Sequence, residues 1–511
     1  MAVLEISSIV TIPTLVALFV VVVLYLIYRT NSRTALRHPP GPSELPFIGS
    51  IFTLLFTKLQ QHELLFKWSG EYGGIFSFTL AGGRVVVLSD KELIQETLQD
   101  PFVNDRIPFP ACISIYGREN TGIAFASGAV WKEQQRFFLT VFRKVNTSVI
   151  RFEDIIQTQG QRLLNELDRL EGQLFDPSNI VTVTISNVIL KIVTGKTYEY
   201  ADPGLLRMAT CSDRLADIIG PAGLLGMIPG LASLPLPAKR QLTDLMREMI
   251  DFIRDHVEEH KANFNPDEPA TDFMSCYLKE IANSSGIPDT TFDETNMLQT
   301  CWDAMFPGYE TTISAFRWAL HLLASHPQVQ SRIRQEIFDA VGRDRLPAYT
   351  DRHNMPYMES TVVECLRMRP VIPYVAPHIV SRDRKIAGYD VAVGTRVTVN
   401  LWFLARSPTL WEDPDEFRPE RFLDENGCYD RSREPLSFSY GRRTCPGDQL
   451  ARMELFLILS YILQRFTLTL PDGAPRNLEG SMGATYKPYQ YELRATKNHG
   501  ARSSASNSVP E

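Results

Sequence analysis

A mainly α-helical fold with minor β-sheets, one domain set behind an N-terminal membrane-spanning helix, is what this 511-residue sequence predicts. Three observations carry the prediction. Apolar side chains recur at three- and four-residue spacing through most of the chain, the periodicity of helices with one buried face. Strand-like runs are few and short. Finally, the N-terminus holds one long uncharged apolar run, and about 20 such residues span a bilayer as a helix.

That run extends from Ile6 to Tyr28. A cleavable leader would have a basic start, a shorter apolar stretch and a small-residue cleavage site; none of these is present. Arg29, Arg33 and Arg37 follow the run and only Glu5 precedes it, which places the rest of the chain on the cytoplasmic side. Residues 1–28 are therefore read as an anchor. Residues 29–46, basic and then proline-rich (His38-Pro39-Pro40-Gly41-Pro42, Pro46), are read as a stiff linker, because each proline fixes its own φ and expels the preceding residue from the helical region. The body is expected over 47–498, and the Ser-rich tail 499–511 is expected to be disordered.

Within the body, Ile75 to Leu80, the Gly82-Gly83 turn and Arg84 to Leu88 read as a hairpin. Helices are expected over 128–144, 241–261, 298–325 and 328–341, and short strands near 379–380, 385–391 and 396–400. Lys and Arg number 52 against 59 Asp and Glu, a net charge of −7, which gives no global basic field for nucleic acid. Seven cysteines, an odd number without a C-x-x-C pair, argue against a secreted disulfide framework and for a reduced, cytosol-facing body. In that setting the glycosylation acceptors Asn146-Thr147-Ser148 and Asn283-Ser284-Ser285 stay unused. His256-Val257-Glu258-Glu259-His260 puts two histidines one helical turn apart, as in some zinc peptidases. No third ligand accompanies it, and its flanks read as a solvated helix end.

The segment with a distinctive chemical character is Phe438-Ser439-Tyr440-Gly441-Arg442-Arg443-Thr444-Cys445-Pro446-Gly447, followed by an apolar helix from Leu450 to Phe466. A lone cysteine is usually a small core residue. Here two arginines precede it, glycines permit close approach of a flat ligand, and a helix N-terminus follows, a setting that favours a thiolate.

This loop resembles that of the haem-thiolate cytochrome P450 family, whose F-x-x-G-x-R-x-C-x-G it satisfies at every fixed position. The resemblance implies haem b with Cys445 as axial iron ligand and Arg443 on a haem propionate; thiolate ligation pushes electron density onto the iron and favours O–O cleavage. Glu364-Cys365-Leu366-Arg367 resembles the family's E-x-x-R helix and Pro419-Glu420-Arg421-Phe422 its later loop, implying a buried Glu364, Arg367, Arg421 network that positions more than it stabilises. Met305-Phe306-Pro307-Gly308-Tyr309-Glu310-Thr311-Thr312 resembles the oxygen-binding helix motif. It implies catalytic roles for Glu310, feeding protons, and for Thr311, hydrogen-bonding the oxygen. Pro307 departs from the usual small residue and abolishes an amide bond to the carbonyl of Asp303, which leaves the groove geometry open. Arg106, Trp131 and His378 carry over as further propionate contacts. The relatives' W-x-x-x-R becomes Trp131-Lys132-Glu133-Gln134-Gln135, with arginine one place later; on a helix that is a large rotation, and Arg136 is not assigned as a ligand.

The likeness covers essentially the whole chain and is nearest the microsomal animal enzymes that oxidise fatty acids, steroids and foreign compounds. It implies a cytochrome P450 fold in a single haem domain, anchored once in the endoplasmic reticulum membrane with the catalytic domain cytosolic. It further implies electrons from NADPH-cytochrome P450 reductase, with cytochrome b5 as a second donor, and one oxygen atom inserted into a lipid, steroid, terpenoid or xenobiotic. The family's pocket segments map to Phe109 to Phe125, Met305 and Phe306, Pro373 to Ala376 and Ser481 to Ala484, which are largely apolar here. Lys132, Arg136, Arg143 and Lys144 form a basic face suited to an acidic electron donor, although a merely solvated face reads the same way. The alternatives are an oxygen-independent haem-thiolate isomerase or dehydratase, and a non-enzymatic haem-binding membrane protein. Glu310 and Thr311 favour the monooxygenase.

Overall fold

Helices carry most of the structure, a computed structural model that describes residues 19–24, 36–45, 49–80, 83–149, 151–226, 237–476 and 479–498. The principal ones are α1 (Gly128–Lys144), α2 (Phe152–Arg169), α3 (Pro177–Thr194), α4 (Pro203–Gly226), α5 (Pro237–Ala262), α6 (Phe273–Asn283), α7 (Glu294–Ser325), α8 (Pro327–Ala340), α9 (Pro356–Met368) and α10 (Asp448–Arg465). α7, 32 residues long and buried along nearly its whole length, is the axis on which the others pack. Its start is fixed by Asp293, whose carboxylate accepts the Asn296 amide at 2.8 Å, an N-cap.

α3 is long and apolar enough to cross a membrane, yet 72% of that stretch is buried against protein. It is a core helix beside α7, begun by Asp176 and Pro177 and ended by Gly195 in the left-handed region, the usual start and stop chemistry. Of the N-terminal apolar run, residues 19–24 are described; they are helical, and Phe19 and Val21 face outward. The rest of the 1–28 anchor, residues 29–35 and Pro46 of the linker, and the 499–511 tail lie outside the described residues. The proline segment is docked on the body: Ser77 donates its hydroxyl to the Pro39 carbonyl (3.0 Å) and its amide to that of Pro40 (2.7 Å).

The main sheet holds β1 (Ile75–Leu80), β2 (Gly83–Leu88), β3 (Asp105–Arg106), β4 (His378–Ile379) and β5 (Arg396–Val399), in the order β1-β2-β5-β4-β3. Its first two strands form the expected hairpin. β2 then runs parallel to β5, and the antiparallel β3–β4 pair sets Arg106 directly opposite His378. The single strand expected over 385–391 is instead a hairpin, Arg384–Ile386 against Tyr389–Val391, because Ala387 and Gly388 both adopt positive φ. A third hairpin, β6 (Gly480–Met482) and β7 (Tyr486–Pro488), lies against α7.

The charge network ties α9 to the 405–421 segment. Arg367 donates Nε to Glu364 Oε2 (2.6 Å) and Nη2 to Oε1 (2.9 Å), while Arg421 Nε stands 3.4 Å from Oε1. Arg367 also donates to the carbonyls of Ala405, Pro414 and Glu416, and neither Glu364 nor Arg367 has any exposed surface.

Candidate active site

One largely apolar cavity of about 360 Å³ opens between α7, α1, Arg106 of β3, the 370–376 segment and the 435–447 loop that leads into α10. Cys445 is the one of the seven cysteines on its wall. The residue as a whole has accessible surface, although its thiol is enclosed enough for burial to act on it. The loop is shaped by left-handed backbone at Ser439 (φ 63°) and Gly441 (φ 78°), and the Cys445 amide donates to the Phe438 carbonyl at 3.1 Å. At Gly441 a Cβ would fall 2.2 Å from the carbonyl oxygen of Leu98, so only glycine lets the loop approach the helix Lys91–Gln99 this closely.

Burial pushes the Cys445 thiol up to about 11, while the amides of Gly447 and Asp448 at the start of α10 pull it the other way. The protein alone thus leaves a thiol there, and a cation at the sulfur would make it a thiolate. Among the described residues no cluster of three or more His, Cys, Asp or Glu side chains can hold a metal. Cys445 thus stands as a single protein ligand, which is what the resemblance to proteins that hold haem by a thiolate implies.

The polar corner of the cavity fits the other end of such a group. Arg106, on the wall, has its Nε buried without a hydrogen-bond partner among the described residues, and so has Nε2 of His378, which sits opposite Arg106 on β4 but is not itself on the wall. Arg106 Nη1 donates to the Ala376 carbonyl, and His378 Nδ1 donates to that of Val103 at 2.8 Å. Arg443 is engaged on one side by the carbonyls of Asn104 (2.9 Å), Ile123 (2.9 Å) and Ala126, and its guanidinium lies 3.9 Å from the centre of the Trp131 ring. Trp131 is thus a cation–π platform for Arg443 as well as part of the wall.

Burial lowers Arg106 to about 10 and, with Arg106 beside it, Arg443 to about 9. It also drives His378 well below its ordinary range, an effect reinforced by both arginines. This crowding of cations is the environment that two carboxylates would relieve. With Nδ1–H committed to Val103, a carboxylate at Nε2 must bring a proton onto that nitrogen.

α7 forms the facing wall. Asp303, Pro307, Thr311 and Ala315, four residues apart, share its cavity face. The helix runs unbroken through Pro307, and Thr311 donates its hydroxyl to the Pro307 carbonyl at 2.8 Å. Glu310 is not on the cavity wall. It is buried on the side of the β6–β7 hairpin, accepts from the Thr485 hydroxyl at 3.2 Å, and is raised by burial to about 7.

Several expectations need correction. Met305 and Phe306 do not line the cavity; Phe306 stacks on Trp302 at 5.1 Å, and Ala304 and Pro307 take the wall. Ser481 to Ala484 also lie away from it, with Ala484 donating to the Ala216 carbonyl of α4. Ile123, Ala124, Val375 and Ala376 do line it. Gln135 faces the cavity and donates to the Arg442 carbonyl at 3.0 Å, whereas Arg136 is exposed with Lys132, Arg143 and Lys144. His256 is a buried, satisfied histidine: Nδ1 pairs with the Phe252 carbonyl and Nε2 with the Tyr198 hydroxyl at 2.5 Å. His260 pairs with Asp272 at 3.0 Å. The two rings face different partners, not one metal.

Two wall residues were not singled out from the sequence. Asp303, raised by burial to about 6, accepts from the amides of Ile123 (2.6 Å) and Ala124 (2.9 Å) and from Gln299 (2.8 Å), which clamps that loop to α7. The α7 stripe of four-residue spacing was the available signal. Glu454, on α10, is buried with both carboxyl oxygens unpartnered among the described residues, and burial raises it well above the ordinary range. A carboxyl held protonated in the fold but ionised when unfolded costs nothing below the unfolded value near 4.3, and more as pH rises toward the folded one. Glu454→Gln should therefore unfold at a higher temperature than the parent, with a gain larger at about pH 8.5 than at about pH 5. A gain independent of pH would contradict the protonated carboxyl.

A helical body with a cysteine sulfur, a buried arginine corner and a threonine-bearing helix around one apolar cavity defines the haem-thiolate oxidoreductases. The chain belongs to the cytochrome P450 family, whose model matches residues 39–495. It is 34% identical over 495 residues to cytochrome P450 2F3 of Capra hircus, covering 95% of this chain and 99% of that protein. It is 33% identical over 463 residues to cytochrome P450 2J2 of Homo sapiens (90% and 91%) and 35% over 474 residues to cytochrome P450 2F5 of Gorilla gorilla gorilla (91% and 95%). The protein is accordingly a monooxygenase-family oxidoreductase that binds haem through a cysteine thiolate.

Proposed function

We propose that this enzyme transfers one oxygen atom from O2 to a hydrophobic small molecule, a lipid, steroid, terpenoid or xenobiotic, at a haem held by Cys445. The balanced reaction is RH + O2 + NADPH + H+ → ROH + H2O + NADP+, with NADPH-cytochrome P450 reductase delivering the electrons and cytochrome b5 serving as a second donor. The carrying observation is that Cys445 and Thr311 line the same apolar cavity. Bound haem supplies a redox-active iron whose thiolate ligand favours O–O cleavage.

The chain's own residues do the rest. Cys445 would hold the metal, and Arg106, His378 and Arg443, the last braced by Trp131, would hold the carboxylates of the bound group. The Thr311 hydroxyl, parked on the Pro307 carbonyl, can turn into the cavity to donate to oxygen. Glu310 behind it, poised near neutrality, can give and regain a proton. The exposed basic residues of α1 adjoin the cysteine loop through the Gln135–Arg442 bond and suit an acidic donor. Apolar residues 19–24 and the exposed, stacked pair Phe52 and Phe56 (5.6 Å) suit membrane lipid, with the endoplasmic reticulum as the site and the body cytosolic.

Thr311→Ala, assayed with reductase on a substrate found by screening fatty acids, steroids and terpenoids, should lower product per NADPH and raise peroxide while leaving the carbonyl-bound spectrum unchanged. Product formed without O2 or NADPH, and indifferent to Thr311→Ala, would replace this reading with an isomerase or dehydratase. Gln135→Arg adds a charged donor at the cavity wall, and a charge-assisted hydrogen bond is worth roughly 1.5 to 3 kcal/mol. Haem transfer to an excess of apomyoglobin should then slow by roughly 10- to 100-fold; unchanged transfer would show that position 135 does not reach a propionate.

A further inference from the structure

Glu310 is reached from outside through residues that the family motif does not contain. The β6–β7 hairpin is pinned to α7: the Trp318 indole donates to the Tyr486 carbonyl at 2.9 Å, the two rings stack at 5.2 Å, and Thr485 bridges Ser314 (3.2 Å) and Glu310 (3.2 Å). Thr485 ends the turn that leads into β7, and Lys487 lies two residues further on, within that strand. Lys487 is mostly buried, yet its ammonium meets two carboxylates of α4, Asp213 Oδ1 at 2.7 Å and Asp217 Oδ1 at 2.6 Å, both more than half exposed. Those aspartates are one helical turn apart, so a single lysine spans both. The closeness of the elements is built in: a Cβ at Gly483 would sit 2.5 Å from the Ala216 carbonyl oxygen.

We propose that Lys487, clamped by Asp213 and Asp217, is a positioning residue for Glu310, and that this ion triad links solvent to the acid and governs when Glu310 releases and regains its proton. The inference rests on the relay role given to Glu310 above. The charged groups that act on Glu310 are Lys487 from the hairpin and Asp213 and Asp217 from α4, with Thr485 as its hydrogen-bond donor; Tyr309, its neighbour on α7, is a buried phenol. The lysine's positive charge favours the carboxylate. The two aspartates oppose it, so Glu310 keeps its proton to higher pH while α4 rests on the hairpin.

The test is infrared titration of the haem-loaded resting protein, following the protonated carboxyl stretch that is lost in Glu310→Gln. In Lys487→Met the midpoint should move up by about one pH unit, a tenfold change in proton affinity. In the double variant Asp213→Asn, Asp217→Asn it should move down, and Lys487→Arg should restore the parent value. Midpoints that stay fixed, or that move in the same direction in the first two variants, overturn the proposal. The aspartates are surface residues, so the double variant keeps the test available if Lys487→Met fails to fold. Because no substrate or electron donor is used, this result is independent of the relay: opposite shifts combined with Glu310→Gln that leaves product per NADPH unchanged would retain the triad and reject the relay.

Discussion

Cys445→Ser is expected to fold and to lose the far-red-shifted Soret band that a thiolate-ligated haem gives in its reduced, carbonyl-bound form. The loss should be complete, because nothing else in the chain can substitute. Cys112, Cys211, Cys276, Cys301 and Cys365 are buried away from the cavity, and Cys428 is exposed on a separate loop. Serine offers a hydroxyl whose proton is far harder to remove than a thiol's, so the start of α10 would not supply an anion. Retention of the band would move the ligand to another sulfur. Far-ultraviolet circular dichroism like the parent's would show that the loss is one of ligation, not of fold.

Arg367→Leu should give almost no soluble haem-loaded protein. Its guanidinium satisfies both oxygens of Glu364 and three carbonyls, and it lies 5.2 Å from the Trp411 ring centre. Removing it leaves a carboxylate with no exposed surface facing only Arg421 and the Arg418 amide. Breaking such a pair from one side costs about 3 to 5 kcal/mol, against a total stability of about 5 to 15 kcal/mol for a folded protein. Replacing Glu364 and Arg367 together should cost less than the two single losses added, since neither charge is then left alone. Recovery of soluble, haem-loaded protein from the three variants measures this; a double variant recovered no better than Arg367→Leu alone would show that the pair does not interact.

How far the sequence reveals this molecule depends on whether a feature is local. The long helices and the 75–88 hairpin are legible because their periodicity and their glycines are contiguous. Cys445 is legible because arginine, glycine and a helix start all fall within ten residues. α3 is buried on nearly every side and therefore shows no polar stripe to mark it as a helix. The 384–391 hairpin is hidden by an Ala-Gly turn inside an otherwise strand-like run. Glu454 reads as an ordinary polar residue on an apolar helix, since only packing reveals that its carboxyl is enclosed. The contact between Lys487 and Asp213 joins residues 274 apart, and no spacing rule encodes it.

The parallel pairing of β2 with β5 has a consequence for how the chain is made. Val85 and Arg396, partners in that register, are 311 residues apart (85 to 396). At synthesis rates of about 5 to 20 residues per second, β2 waits roughly 15 to 60 s for its neighbour. During that interval β2, paired with β1 on one side only, leaves its other edge from Val85 to Leu88 open, the kind of edge that recruits other chains. Closing a loop this long also makes the step slow relative to local helix formation. The strand that sets His378 opposite Arg106 joins the sheet through β5, and Cys445 emerges later still. Haem capture must therefore be a late event that follows nearly complete translation, and a ribosome-stalled fragment ending before β5 should bind none.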